Sequence, residues 1–240
     1  MSNFTQSIIT KLENLRLLDR EFRAFGAADS HRYMRAPVLT EDQLKSFERQ
    51  HDVQLPQDYR DFLNKVCNGY VGPYYGLIDL ENAAQGCRPG VPFPFTAQSV
   101  RLEEAEQEQW KKGAHGIVLL CHQGCGYYNF LVTRGEHYGT VWEDYLSADG
   151  TLVSTNQTFP QWYEAWIDRV TAQVPNIAFK AKVSIGMSRS QLMEVMGNRK
   201  FEEWHREGWL GHGILFEHVP LDIRLNEDQT VGMVFDQAIV

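Results

Sequence analysis

Near the start of the chain, Phe4, Ile8, Leu12, Leu15 and Phe22 recur at helical spacing with polar residues between them. The pattern predicts an amphipathic helix, which Gly26-Ala27-Ala28 brings to an end. Thr40 followed by Gln43 forms a Thr-x-x-Gln capping box for a second helix, with Leu44, Phe47 and Val53 on its inner side. Leu55-Pro56 starts a third, because proline loses nothing in a first helical turn. Tyr59, Phe62, Leu63 and Val66 then make one apolar stripe, which Asn68-Gly69 terminates. Glycine and proline crowd the stretch from Tyr70 to Phe95, which predicts turns and short strands, Tyr75 to Ile78 among them.

Residues Leu102 to Lys112 read as a helix with glutamates on its solvent side. Gly116 to Leu120 reads as a buried strand, and Tyr127–Val132 and Thr140–Trp142 as the strands that follow it. Phe159, Trp162, Tyr163, Trp166, Ile167 and Val170 give a strongly apolar helix face that closes this unit. Val174-Pro175-Asn176 is the expected boundary, giving domains of residues 1–172 and 173–240. Beyond it, Phe179–Val183, Ile214–Phe216, Leu221–Leu225 and Val231–Phe235 alternate as strands. A short helix opens at the Ser188/Gln191 capping box and stops at Gly197. The order of elements predicts an α+β fold, helices packed on an antiparallel-rich sheet, with a small C-terminal α+β appendage.

The formal net charge of -8 argues against gripping a phosphate backbone and suits an acidic face that meets a basic partner. Four cysteines without framework spacing, no apolar stretch near bilayer length and a polar N-terminus predict a soluble, cytoplasmic protein.

The residues between Phe25 and Val170 resemble the SUKH superfamily, the Smi/Knr cell-wall-regulator-like family. Three runs carry the resemblance: Leu39-Thr40-Glu41 through Asp58-Tyr59-Arg60-Asp61-Phe62-Leu63, Asn68-Gly69-Tyr70 through Tyr74-Tyr75-Gly76-Leu77, and Gly124-Cys125-Gly126-Tyr127 through Val132 with Gly139 to Asp144. Tyr70 stands where the family often carries a second glycine. The resemblance implies an α+β recognition domain without catalytic chemistry or cofactor, an immunity protein to a cognate toxin in bacteria or a cell-wall regulator in fungi. More weakly, Val183 to Ser188 and Val195-Met196-Gly197 resemble the small SmpA/OmlA and β-lactamase-inhibitor domains, which also bind proteins.

Cys121-His122-x-x-Cys125 is the one local cluster with metal or thiol character, and it lacks a second metal hook at conventional spacing. No phosphate-loop pattern is present; Gly69, Gly72 and Gly76 are expected to supply turns with positive φ. His205, His212 and His218 are expected to pack or lie at the surface. No catalytic, metal or cofactor residue is therefore assigned. The expected partner site joins Tyr70, Tyr74, Tyr75, Tyr127 and Tyr128, which offer contact area with few rotors, to Glu103, Glu104 and Glu108 as a landing surface for a basic partner. The stretch from Glu217 to Leu225 is the second choice.

Overall fold

The computed structural model describes residues 3–180, 182–197, 199–205, 212–216 and 221–236. The chain divides into two compact units, Met1–Val170 and Thr171–Val240. In the first, α1 (Asn3–Leu18) leads through a π-helical turn (Ala27–His31) to α2 (Glu41–Gln50), α3 (Gln57–Lys65) and the short α4 (Leu80–Ala83). There follow β1 (Cys87–Arg88), β2 (Ser99–Arg101), α5 (Glu104–Lys111), β3 (Ala114–His115), β4 (Ile117–Gly124), β5 (Tyr127–Val132), β6 (Thr140–Tyr145), β7 (Thr151–Thr158) and α6 (Phe159–Lys180).

The capping box of α2 forms as its sequence requires: Gln43 N donates to Thr40 Oγ1 (3.3 Å), and Thr40 N donates to Gln43 Oε1 (2.8 Å). Pro56 is the N-cap of α3, one residue ahead of the first turn, and Tyr59, Phe62, Leu63 and Val66 are all buried. Two helices end earlier than their apolar pattern suggests. α3 stops at Lys65, before Asn68-Gly69. α1 stops at Leu18, and Phe22 takes φ +55°. The cause in α1 is Asp19, whose carboxylate accepts from Arg23 N (2.8 Å) and Ala24 N (3.0 Å), offering the backbone an alternative to the next helical turn.

The main sheet has the order β2-β7-β6-β5-β4, with every neighbouring pair antiparallel. This is the α+β fold that the pattern predicts. On one face Phe130, Val132, Trp142 and Leu152 pack with Phe93, Leu102 and Trp110. Val118, Leu120, Leu131 and Val141 alternate onto the other face and are fully buried too, so both faces are covered. The largest fully buried side chains outside the first cluster include Tyr59, Phe62, Phe159 and Tyr163 of α3 and α6, whose rings lie edge to face at 4.8–4.9 Å. Lys11 fastens α1 to α6 through Glu164 (2.8 Å) and Asp168 (2.7 Å).

In the second unit, α7 (Arg189–Met196) packs on an antiparallel sheet of β8 (Phe201–His205), β9 (His212–Phe216), β10 (Leu221–Leu225) and β11 (Val231–Asp236), ordered β11-β10-β9-β8. Leu192, Met196, Ile214, Ile223, Leu225 and Val231 make its core. The Ser188/Gln191 capping box is present, and Gly197 caps the helix C-terminus at φ +63°. Phe179 and Lys180 are helical rather than strand, because α6 runs on through Pro175 instead of ending near Val170. His218, Trp209 and residues 217–220 of the Glu217–Leu225 stretch lie outside the described residues. Among the described residues no helix is long and apolar enough to cross a membrane.

Candidate functional site

Residues Gly69 to Leu77 form a small closed loop beside the edge strand β4. Tyr70 N donates to Leu77 O (2.8 Å), Leu77 N returns the bond to Tyr70 O (2.7 Å), and Gly76 N donates to Pro73 O (2.9 Å). Leu77 bridges Cys121 of β4 on one side, while Tyr70 bridges Arg35 on the other. The turn demands left-handed backbone. Gly69 and Gly76 supply it at φ +99° and +92°, but so do Tyr70 (+73°) and Tyr74 (+54°), where a side chain makes it costly. Gly72 does not take positive φ; it is needed for space, since a Cβ there would lie 2.7 Å from Leu77 Cγ.

Each tyrosine of the expected site belongs to a definite part of this end of the sheet. Tyr75 is 47% exposed, edge-on to Phe25 at 5.4 Å and stacked on His122 at 5.7 Å. His122 in turn lies 4.8 Å from Tyr128. A row Phe25–Tyr75–His122–Tyr128 results. The pairing of Tyr128 with Asp144 and of Asn129 with Glu143 puts successive residues of β5 on opposite faces. Tyr127, Asn129, Glu143 and Tyr145 share the second face, where Tyr127 meets Tyr145 at 5.4 Å and Tyr145 Oη donates to Glu143 Oε2 (2.9 Å). Burial first, and then the Glu143 carboxylate, raise the phenol pKa of both Tyr74 and Tyr145. Asn129 is fully buried beneath them. Its Oδ1 accepts from Gln123 Nε2 (2.8 Å) and Cys121 Sγ (3.4 Å), while its Nδ2 has no partner among the described residues.

The acids of the expected site stand elsewhere. Glu103 is the N-cap of α5, with its N–H on Glu106 Oε2 (2.9 Å), and Glu104 and Glu108 are exposed along the helix. α5 directly follows β2, the edge strand opposite β4, and Leu102 N donates to Gly150 O (2.8 Å) to hold it there. Tyr70, Tyr74 and Tyr75 thus gather at one edge with Tyr127 and Tyr128, and the glutamates begin at the other.

The Cys/His motif has no nucleophile character in its buried member. Cys121 is inaccessible, and burial pushes its thiol pKa up. Cys125 is exposed in the β4–β5 turn between Gly124 and Gly126, all three with positive φ. Among the described residues no three His, Cys, Asp or Glu side chains come together as metal ligands would.

What sequence reasoning missed is the contribution of residues before the second helix. Phe25 extends the aromatic row, and Gly26 (φ +75°) comes so near the loop that a Cβ would fall 1.7 Å from Tyr74 O. A glycine followed by two alanines reads as a helix stop; nothing in it announces a backbone crossing.

Geometry of this kind defines an α+β domain whose sheet end is dressed with aromatic side chains and close backbone turns. The chain belongs to the SMI1 / KNR4 family (SUKH-1), whose model matches residues 38–165, more than half of its length. No curated protein matches it, and no solved structure does.

Proposed function

We propose that this chain is a non-catalytic protein-binding domain, an immunity protein that neutralises a cognate bacterial toxin in the cytoplasm. The observation that carries the reading is the row Phe25–Tyr75–His122–Tyr128, aromatic surface held on the sheet end by a loop whose glycines leave no room for a side chain. Family membership supports it. Tyrosine anchors of this kind concentrate binding energy.

The test is co-purification of the full chain with the product of the gene next to its own, a toxin on this reading. Tyr74→Ala and Tyr75→Ala are expected to speed dissociation by about tenfold or more with little change in association. A parent chain that shows no affinity for that product would overturn the immunity reading and favour a scaffold that binds a cellular partner instead.

The two units are proposed to be separable modules, residues 1–172 and 173–240. Pro175 removes one hydrogen bond from the interior of α6 and weakens that turn. Limited proteolysis is expected to cut between Ala172 and Ala178 before either flank; a junction that resists cleavage while both flanks unfold together would show one shared core.

A further inference from the structure

The aromatic row continues into a segment that lies outside the residues matched by the family. Residues 16–35 hold five arginines (Arg16, Arg20, Arg23, Arg32 and Arg35) against three acids (Asp19, Glu21 and Asp29). That is a local charge of +2 in a chain of net -8, so the remainder carries -10. Asp19 is buried and used internally, by two backbone N–H groups and Tyr33 Oη (2.7 Å). Arg20 Nε donates to Leu17 O (3.2 Å) and Arg32 Nε to Ala28 O (3.2 Å), bonds that hold each guanidinium by one nitrogen. Neither pairs with an acid among the described residues.

Half of the apolar exposure falls on the same segment and the loop. Of twelve exposed large apolar side chains among the described residues, six are Leu17, Leu18, Phe25, Met34, Tyr70 and Tyr75. Phe25 is 65% exposed and Tyr70 54%. They sit on two segments that are stitched together: Val71 N donates to Met34 O (2.9 Å), Ala36 N to Gly69 O (3.4 Å), and Phe25 meets Tyr75. A single arginine or leucine at the surface is ordinary; this density of both is not.

Backbone strain gathers there as well. Five of the nine non-glycine residues with positive φ among the described residues are Phe22, Arg32, Tyr33, Tyr70 and Tyr74. Between the first two lies the π-helical turn Ala27–His31, a rare geometry that recurs at functional sites. Such conformations persist only where the surroundings over-determine them.

Deepening the protein-binding reading, on which it rests, we infer that residues 16–35 and the Tyr70–Tyr75 loop form one docking surface for an acidic, apolar-studded protein segment. Arginine and aromatic side chains together are the residues that dominate protein interfaces, and guanidinium matches a carboxylate bidentately. The net charge of the whole chain suggests a basic partner; the local count over residues 16–35 has the opposite sign, with Arg23 paired to Glu21 and Arg35 to Glu13. A nucleic acid would meet only a +2 segment in a chain of net charge -8, and it has no use for exposed Leu17, Leu18 and Met34. Residues 16–35 lie before the matched residues 38–165, whereas the Tyr70–Tyr75 loop lies within them.

Fluorescence anisotropy with labelled peptides of equal length, (Glu-Glu-Phe)4 and (Lys-Lys-Phe)4, and with a 12-residue oligothymidylate, tests this on the full chain at low salt. The acidic peptide is expected to bind best, with affinity falling about tenfold or more in Arg20→Glu/Arg32→Glu and in Phe25→Ser/Tyr75→Ser. These are surface changes, and an unaltered thermal midpoint verifies folding. Glu104→Lys/Glu108→Lys should bind the acidic peptide within about twofold of the parent, since those acids begin at the far sheet edge. Preference for the basic peptide, loss of its binding in the glutamate variant, tighter binding of the oligonucleotide, or no binding of any probe would each overturn the inference. Those results leave the protein-binding reading to stand or fall on the co-purification alone.

Discussion

Asp19→Ala is expected to lower the unfolding free energy by about 3–5 kcal/mol. The carboxylate is 2% exposed and accepts three hydrogen bonds, from Arg23 N, Ala24 N and Tyr33 Oη. Hydrogen bonds to a charged acceptor contribute about 1.5–3 kcal/mol each, and alanine leaves a buried phenol and two amides without an acceptor. Tyr33 itself adopts φ +53°, so the network also holds a strained residue. Tyr33→Phe removes one of the three bonds and should cost about a third as much. Urea unfolding of both variants measures this. A midpoint for Asp19→Ala close to that of the parent would mean that water replaces the carboxylate and that the network is not what fixes the segment.

Acidification provides the second large effect. His31 is 1% exposed, between Tyr33 at 5.2 Å and Trp166 at 6.2 Å. Its Nδ1 accepts from Tyr33 N (3.0 Å), so the proton sits on Nε2, which has no partner among the described residues. Burial holds the imidazole pKa down at about 4, against the opposing pull of Asp19. Between pH 6.5 and about 4 the unfolded chain takes up a proton that the folded chain refuses. Stability therefore falls as pH falls through that window, by at most about 3 kcal/mol from this residue. In His31→Phe that part of the pH slope should vanish while the carboxylate-dependent part at lower pH remains. Equal slopes for parent and variant between pH 6.5 and 4.5 would sink the assignment.

How much of this was legible in the sequence depended on whether the signal was local. Capping boxes at Thr40 and Ser188 and the stripe from Tyr59 to Val66 are written within one helical turn or two, and they form as written. Strand β7 was not legible: in Thr151–Thr158 only Leu152 is a fully buried apolar residue, and Thr, Ser, Asn and Gln fill most of the rest. β8 was hidden similarly, with charged or polar Glu202, Glu203 and His205 in five residues. The end of α1 was misread because Phe22 continues the spacing while Asp19, a helix-compatible residue by pattern, turns the chain by hydrogen bonding. For the candidate site, the tyrosines were visible as a cluster in sequence, but their neighbours were not. Phe25 and Tyr75 are fifty residues apart, and no local pattern carries a contact of that separation.

The edges of the main sheet constrain how anything can bind to it. At one end β2 is three residues long. At the other, Leu77 bridges Cys121 and Ile78 N donates to Leu120 O (2.8 Å), so part of the β4 backbone is already occupied by the loop. Neither border offers a long free row of N–H and C=O groups to template another chain. A ligand that joins by lending a strand takes its affinity from main-chain bonds, which are the same for every sequence. Where that route is narrowed, recognition passes to side-chain identity, and a few substitutions on an unchanged frame suffice to move the domain from one partner to another.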